Sequence, residues 1–320
     1  MPRYKLTIAY DGTDFAGWQK QEPPVPSGDP EPVAPDHVRR PDPLAVTRPE
    51  LVDPTLEAPD GRVALRTVQA VVERAVREVV REPVAIRGAS RTDSGVHAKG
   101  QVAAFSCSGR NNESTELHEG EAARGAGWPI KRGVDRLVRA LNGRLPDDVL
   151  VVNADVVLDD FDPIGDCLSK GYVYRLHVSP TRPLWERRYV QQVWQPVDVE
   201  RMNEAAARIA GEHDFAAFAA AGHGRVSTVR KVFACEVQRE AENDGDEWAG
   251  PVRIDVSGNG FLYNMVRIIA GTLVEVGRGK MSVDDVIKAL EVGDRRLAGP
   301  TMPAQGLCLE WIQYRDDDPS

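Results

Sequence analysis

The chain has 320 residues, 42% hydrophobic and 28% charged, with a net charge of −9. This supports one large globular unit or two domains, each with enough apolar side chains for a core. The acidity argues against a non-specific nucleic-acid coat, though not against an enzyme whose cleft is locally basic. No apolar run approaches the roughly 18 residues that span a bilayer, and Met1-Pro2-Arg3-Tyr4-Lys5 starts no apolar signal region. A soluble, cytoplasmic protein with no membrane association is expected. Four cysteines, at 107, 167, 235 and 308, form no C-x-x-C pair and no close metal-ligand spacing with the six histidines. Reduced thiols and no metal are the expectation.

Along the chain, Tyr4, Leu6, Ile8 and Tyr10 alternate and predict a strand over 4–10. Residues 22–65 hold eleven prolines and nine acids against four bases, which predicts an irregular surface insertion. From Thr67, the expected N-cap, Val68, Val71, Val72, Ala75, Val76 and Val79 follow helical spacing. A short strand over 84–87, a polar loop over 88–97 and a strand over 101–105 follow, then a second polar insertion near 108–127. Further strands are expected at 172–178, 229–238, 251–257 and 306–312. Helices are expected over 198–210, closed by Gly211, over 261–277, and from a Ser282/Asp285 capping pair to Leu290. The mixture predicts an α+β fold of two similar halves, with mixed or antiparallel sheets flanked by helices and a cleft between them. The expected division is 1–160, 161–315 and an acidic tail, 316–320.

Four segments carry candidate chemistry. The loop Arg91-Thr92-Asp93-Ser94-Gly95-Val96-His97 gathers a carboxylate, a guanidinium, two hydroxyls and an imidazole; the plain alternative is an ordinary polar turn. Arg267 stands inside the apolar run Phe261–Ala270, and a guanidinium there needs a carboxylate partner or an exit to solvent. Asp93 is the candidate partner, and such a pair is expected to lower its pKa. Tyr172 and Tyr174, in Lys170-Gly171-Tyr172-Val173-Tyr174-Arg175, share a strand face where rings either stack on an unpaired base or pack in the core. The string Tyr10-Asp11-Gly12-Thr13-Asp14-Phe15-Ala16-Gly17-Trp18-Gln19 is a structured turn, and nothing in its context selects Asp11 over Asp93 as a reacting carboxylate.

Taken together, Y-D-G-T-D-F-A-G-W-Q at 10–19, T-V-Q at 67–69, G-A-S-R-T-D-S-G-V-H at 88–97, L-N-G-R-L-P-D-D at 141–148, G-Y-V-Y at 171–174, G-E-H-D-F at 211–215 and G-N-G-F-L-Y-N-M-V-R at 258–267 resemble the TruA-type tRNA pseudouridine synthases. The resemblance spans almost the whole chain outside the two insertions and the tail. It implies that Asp93 is the essential aspartate, that Tyr172 lies against the target base, and that Arg91 and Arg267 lie in the active cleft and bind substrate. It also implies a homodimer acting on uridines of the anticodon arm of tRNA, positions 38 to 40 in tRNA numbering. One departure stands out: where the family often carries F-x-x-R, this chain has Phe161-Asp162-Pro163-Ile164. Uridine isomerisation conserves atoms, so no cofactor is expected. Two rivals are a non-catalytic RNA-binding protein on the same fold and a carboxylate hydrolase. The second usually needs two close carboxylates, and the 91–97 loop presents one.

Overall fold

Alternation along Arg3–Tyr10 (β1) buries Tyr4, Leu6, Ile8 and Tyr10 on one face, as a two-residue strand period requires. The computed structural model describes residues 1–24, 51–109, 126–220, 227–240 and 249–315. Most of the proline-rich segment, the centre of the second insertion and the acidic tail therefore lie outside the described residues. Residues 51–65 are less irregular than expected. Leu51 and Ala64 are buried, and isolated bridges join Pro24 to Arg62 and Val52 to Leu65.

The remaining elements in chain order are α1 (Val68–Val80), β2 (Arg87–Gly88), β3 (His97–Ser106), α2 (Val134–Asn142), β4 (Val149–Val157), β5 (Ser169–Val178), β6 (Gln191–Val193), α3 (Val199–Ile209), β7 (Gly211–Asp214), β8 (Val229–Arg239), β9 (Gly250–Gly258), α4 (Met265–Gly277), α5 (Val283–Val292) and β10 (Leu307–Gln313). The expected caps are present. The Thr67 hydroxyl accepts from the Ala70 N–H, and Ser282 and Asp285 form a reciprocal capping box. Helix α3 stops at Ala210, and Gly211 opens β7 rather than closing the helix. Helix α2 and strand β4 add to the expected elements, although Val134, Leu137, Val138 and Leu141 carry the helical spacing.

Among the described residues, ten strands form one sheet in the order β4-β1-β3-β10-β5-β9-β8-β7, with β2 beside β3 and β6 beside β5. The last strand is the joint: β10 runs parallel to β3 and antiparallel to β5, stitching the N-terminal strands to the C-terminal ones. The fold is thus α+β on a mostly antiparallel sheet. Helix α1 packs on α2 and α2 on β4, while α3 packs on β8, α4 and α5, and α4 packs on β5. The 88–97 loop leads into β3 and Tyr172 lies on β5, with β10 between these two strands. Among the described residues no helix is long and apolar enough to cross a membrane.

Candidate active site

The 88–97 loop is held from beneath by the 10–18 segment. The Trp18 backbone N–H donates to the Thr92 carbonyl at 3.0 Å, and the Ser94 hydroxyl donates to the Phe15 carbonyl at 3.0 Å. The Tyr10 and Thr92 hydroxyls share a 2.7 Å hydrogen bond. Gly17 has φ +101° and would place a Cβ 2.7 Å from the Thr92 carbonyl oxygen, so only glycine permits this approach. The 10–19 string is therefore a clamp on the loop carrying Asp93. Within the loop, the Val96 N–H closes a turn onto the Asp93 carbonyl at 3.1 Å.

Helix α4 begins at Met265, four residues later than the periodicity suggests, because Asn264 takes left-handed backbone, φ 61°. The later start sets Arg267 in the first turn, facing Asp93. Its Nη1 lies 3.2 Å from Asp93 Oδ2 and 2.7 Å from Asn264 Oδ1, and its Nε donates to the Met302 carbonyl at 2.7 Å. The Met302 N–H donates in turn to the Arg267 carbonyl at 3.2 Å. Both side chains of the ion pair retain partial exposure, 17% for Arg267 and 24% for Asp93.

One expectation changes here. Burial pushes the Asp93 carboxyl above the ordinary carboxylate range, and Arg267, by charge and hydrogen bond, pulls it only part of the way back. The pairing exists, but desolvation wins over it. Arg91 is exposed and bonds to no other described residue, so Arg267 alone is paired with the carboxylate.

Tyr172 lies on β5, opposite Leu309 of β10 and Val256 of β9. It is 7% exposed, packs edge-on against Phe261 with ring centres 5.2 Å apart, and shares a 2.9 Å hydrogen bond with the Ser90 hydroxyl. Burial, against the Ser90 hydrogen bond, pushes its phenol up to about 12, and the nearby Asp93 charge adds to the rise. The phenol is protonated at neutral pH. Tyr174 is fully buried, and its hydroxyl donates to the Pro303 carbonyl. It is core, as the plain reading of alternating tyrosines has it.

Behind the loop, Asp11 is occupied. It accepts from the Thr13 N–H and hydroxyl and from the Tyr189 hydroxyl. The Gly12 N–H donates to His97 Nδ1 at 3.0 Å, so Nε2 carries the proton and donates to the Arg188 carbonyl at 2.8 Å. Burial lowers the His97 pKa more than Asp11 raises it, so the ring is held neutral. Three side chains that the sequence does not single out join the site: Ser90, Gln101 and Asn264. Gln101 is fully buried and grips both the N–H and the carbonyl of Ser90. A glutamine within an apolar strand is its available signal.

The family model described as "tRNA pseudouridine synthase" matches residues 205–315, which include Arg267. Curated relatives match the rest as well. The chain is 37% identical to the "tRNA pseudouridine synthase A" of Limosilactobacillus fermentum over 317 residues, 98% of this chain and 96% of that one. It is 38% identical to that of Solidesulfovibrio magneticus, covering 98% and 92%, and 36% identical to that of Myxococcus xanthus, covering 100% and 95%.

The chain belongs to the tRNA pseudouridine synthase family. In this member of the family, the Asp93 loop and the Arg267 helix come from distant parts of the sequence and meet where β10 joins the sheet. Ile164, at the position where the family often carries arginine, is 51% exposed on a turn whose Asp162 pairs with Arg87 at 3.3 Å.

Proposed function

We propose that this protein isomerises uridine to pseudouridine in tRNA, with Asp93 as the reacting carboxylate. The observation that carries the reading is the 3.2 Å contact between Asp93 and Arg267, in a chain that matches tRNA pseudouridine synthases over nearly its full length. In the reaction the bond from ribose to the uracil nitrogen breaks and one from ribose to a ring carbon forms. A proton leaves that carbon and the freed nitrogen gains one, so nothing is oxidised or reduced. Asp93 acts as a carboxylate, by attack on the sugar, by stabilising positive charge there, or by assisting proton removal; carboxylates serve oxocarbenium-like sugars in this way elsewhere. Arg267 favours the charged form against the burial that opposes it.

Tyr172, protonated and fixed by Ser90, is the platform for the detached uracil. Extruding a stacked base costs about a few kcal/mol, which contacts to the ring and to phosphate offset. Arg91, exposed and without a partner among the described residues, is suited to a backbone phosphate. Residues up to 160 supply Asp93 and Arg91, and those from 161 supply Tyr172 and Arg267. The substrate positions we propose are 38 to 40 of the anticodon arm, and the working form a cytoplasmic homodimer.

The test is to incubate purified protein with unmodified tRNA transcript and map pseudouridine by position. Conversion at 38 to 40, abolished in Asp93→Asn while tRNA binding persists, supports the reading. Substantial turnover by Asp93→Asn would remove the aspartate from its role, and binding without any conversion would make the chain an RNA-binding protein only.

A further inference from the structure

Asn264 stands at the N-cap of α4, where an asparagine normally accepts a hydrogen bond from an N–H of the first turn. Here it does not. Its side chain makes no capping bond, and its backbone takes φ 61°, ψ 5°. Apart from Arg81, it is the only non-glycine with positive φ among the described residues. Two local preferences are thus given up at one residue, and such departures cluster where function over-determines the chain. What replaces them is a 2.7 Å hydrogen bond from Arg267 Nη1 to Asn264 Oδ1, made by the same nitrogen that lies 3.2 Å from Asp93 Oδ2. Met302 fixes the other end of the guanidinium, through Nε, at 2.7 Å. The guanidinium plane is therefore set by three acceptors, and Asn264 is the neutral one on the Asp93 side.

We infer that Asn264 is a positioning residue, whose left-handed backbone turns its amide oxygen toward Arg267 so that Nη1 is aimed at the Asp93 carboxylate. A neutral acceptor suits this task. A carboxylate at 264 would compete with Asp93 for the guanidinium, and an apolar side chain would leave Nη1 free to swing away. Among the described residues, the titratable and charged groups around Asp93 are Arg267 from α4 and the Tyr172 phenol from β5; Arg91, on its own loop, is exposed. Of these, Arg267 is the group that favours ionised Asp93, so its aim sets how readily the carboxylate forms. The inference rests on the reading of Asp93 as the reacting carboxylate.

The decisive variant is Asn264→Gly, because glycine adopts the left-handed backbone freely and removes only the amide. We expect a folded protein with a melting temperature close to wild type and KM for tRNA within about twofold. We expect kcat lower by about tenfold, the lower end of what loss of an outer supporting contact produces. The acid limb of kcat/KM should move to higher pH. A 13C NMR titration of the Asp93 carboxyl reads the same effect without turnover: its midpoint should move upward in Asn264→Gly, and adding Asn264→Gly to Arg267→Leu should move it no further. Failure of the wild type to modify tRNA would count against the proposed function. An unmoved Asp93 titration, a wild-type kcat, or a glycine variant that loses the fold would each overturn the role assigned to Asn264.

Discussion

The hydroxyls of Ser90 and Tyr172 lie 2.9 Å apart, tying the loop that bears Asp93 to the strand that bears the aromatic ring. Ser90 is itself held at both backbone groups by the buried amide of Gln101. Loop and strand are thereby joined by a chain of hydrogen bonds as well as by packing, and such networks fix geometry when every member is satisfied.

Replacements at Tyr172 separate the ring from its hydroxyl. Tyr172→Phe keeps the stacking surface and loses the tie to Ser90, so single-turnover rates on tRNA should fall by about tenfold or less. Tyr172→Leu removes the platform and should cost about a hundredfold. Equal rates for Leu and wild type in rapid-quench assays would take Tyr172 out of the site.

Much of this arrangement is legible in the sequence because a rule is broken locally. Arg267 stands out because a guanidinium inside Phe261–Ala270 demands a partner, and the structure supplies one in Asp93. The start of α4 is not legible, since Phe261 and Leu262 continue the apolar spacing and only the backbone of Asn264 breaks it. The direction of the Asp93 shift is reversed for a related reason: sequence names the opposing charge but not the depth of burial, and burial is the larger effect. Strand β4 is hidden because burial alternates along it while polarity does not: at the sheet edge Leu150, Val152 and Val156 are exposed beside buried Val149, Val151 and Ala154.

The two arginines near the loop should behave oppositely. Arg267→Leu leaves the Met302 carbonyl, Asn264 Oδ1 and the Asp93 carboxylate without their donor. Breaking a buried pair costs about 3–5 kcal/mol; with both side chains partly exposed, about 2–3 kcal/mol is expected in urea denaturation, together with loss of turnover. Arg91→Gln should leave stability within about 0.5 kcal/mol but weaken tRNA binding and reduce the salt slope by about one. If Arg91→Gln destabilised the fold as much as Arg267→Leu, the distinction between paired and exposed arginine would be wrong.

His97 gives the fold a pH dependence of definite sign. Its folded pKa lies below the ordinary 6.5, because burial disfavours the imidazolium more than Asp11 favours it. As pH falls, the unfolded chain takes the proton first. The stability contributed by the neutral ring is complete above 6.5 and drains away as pH drops from there toward the folded value. The slope is at most about 1.4 kcal/mol per pH unit. His97→Gln retains an acceptor for Gly12 and a donor for Arg188 but does not titrate. Denaturation at about pH 7.5 and about pH 5.5, on either side of the unfolded value, should show a smaller loss for the variant than for wild type. Identical losses would mean that His97 is not the group responsible.

The clamp beneath the loop has no room for a side chain at Gly12. A Cβ at Gly12 would sit 1.9 Å from the Val96 carbonyl oxygen and 2.5 Å from its carbon, inside backbone that cannot retreat without opening the Asp93 turn. Gly12→Ala should therefore cost about 3 kcal/mol and depress turnover, since Val96 supplies the N–H that closes that turn. Gly61 is the control. It has φ +74° but no atom within 4 Å of the place a methyl group would take, so Gly61→Ala should cost only the left-handed strain, about 1 kcal/mol, and leave activity intact. The contrast isolates contact from conformation. If both alanines proved equally mild in melting and in single-turnover assays, the close approach of residues 12 and 96 would not be what holds Asp93 in place.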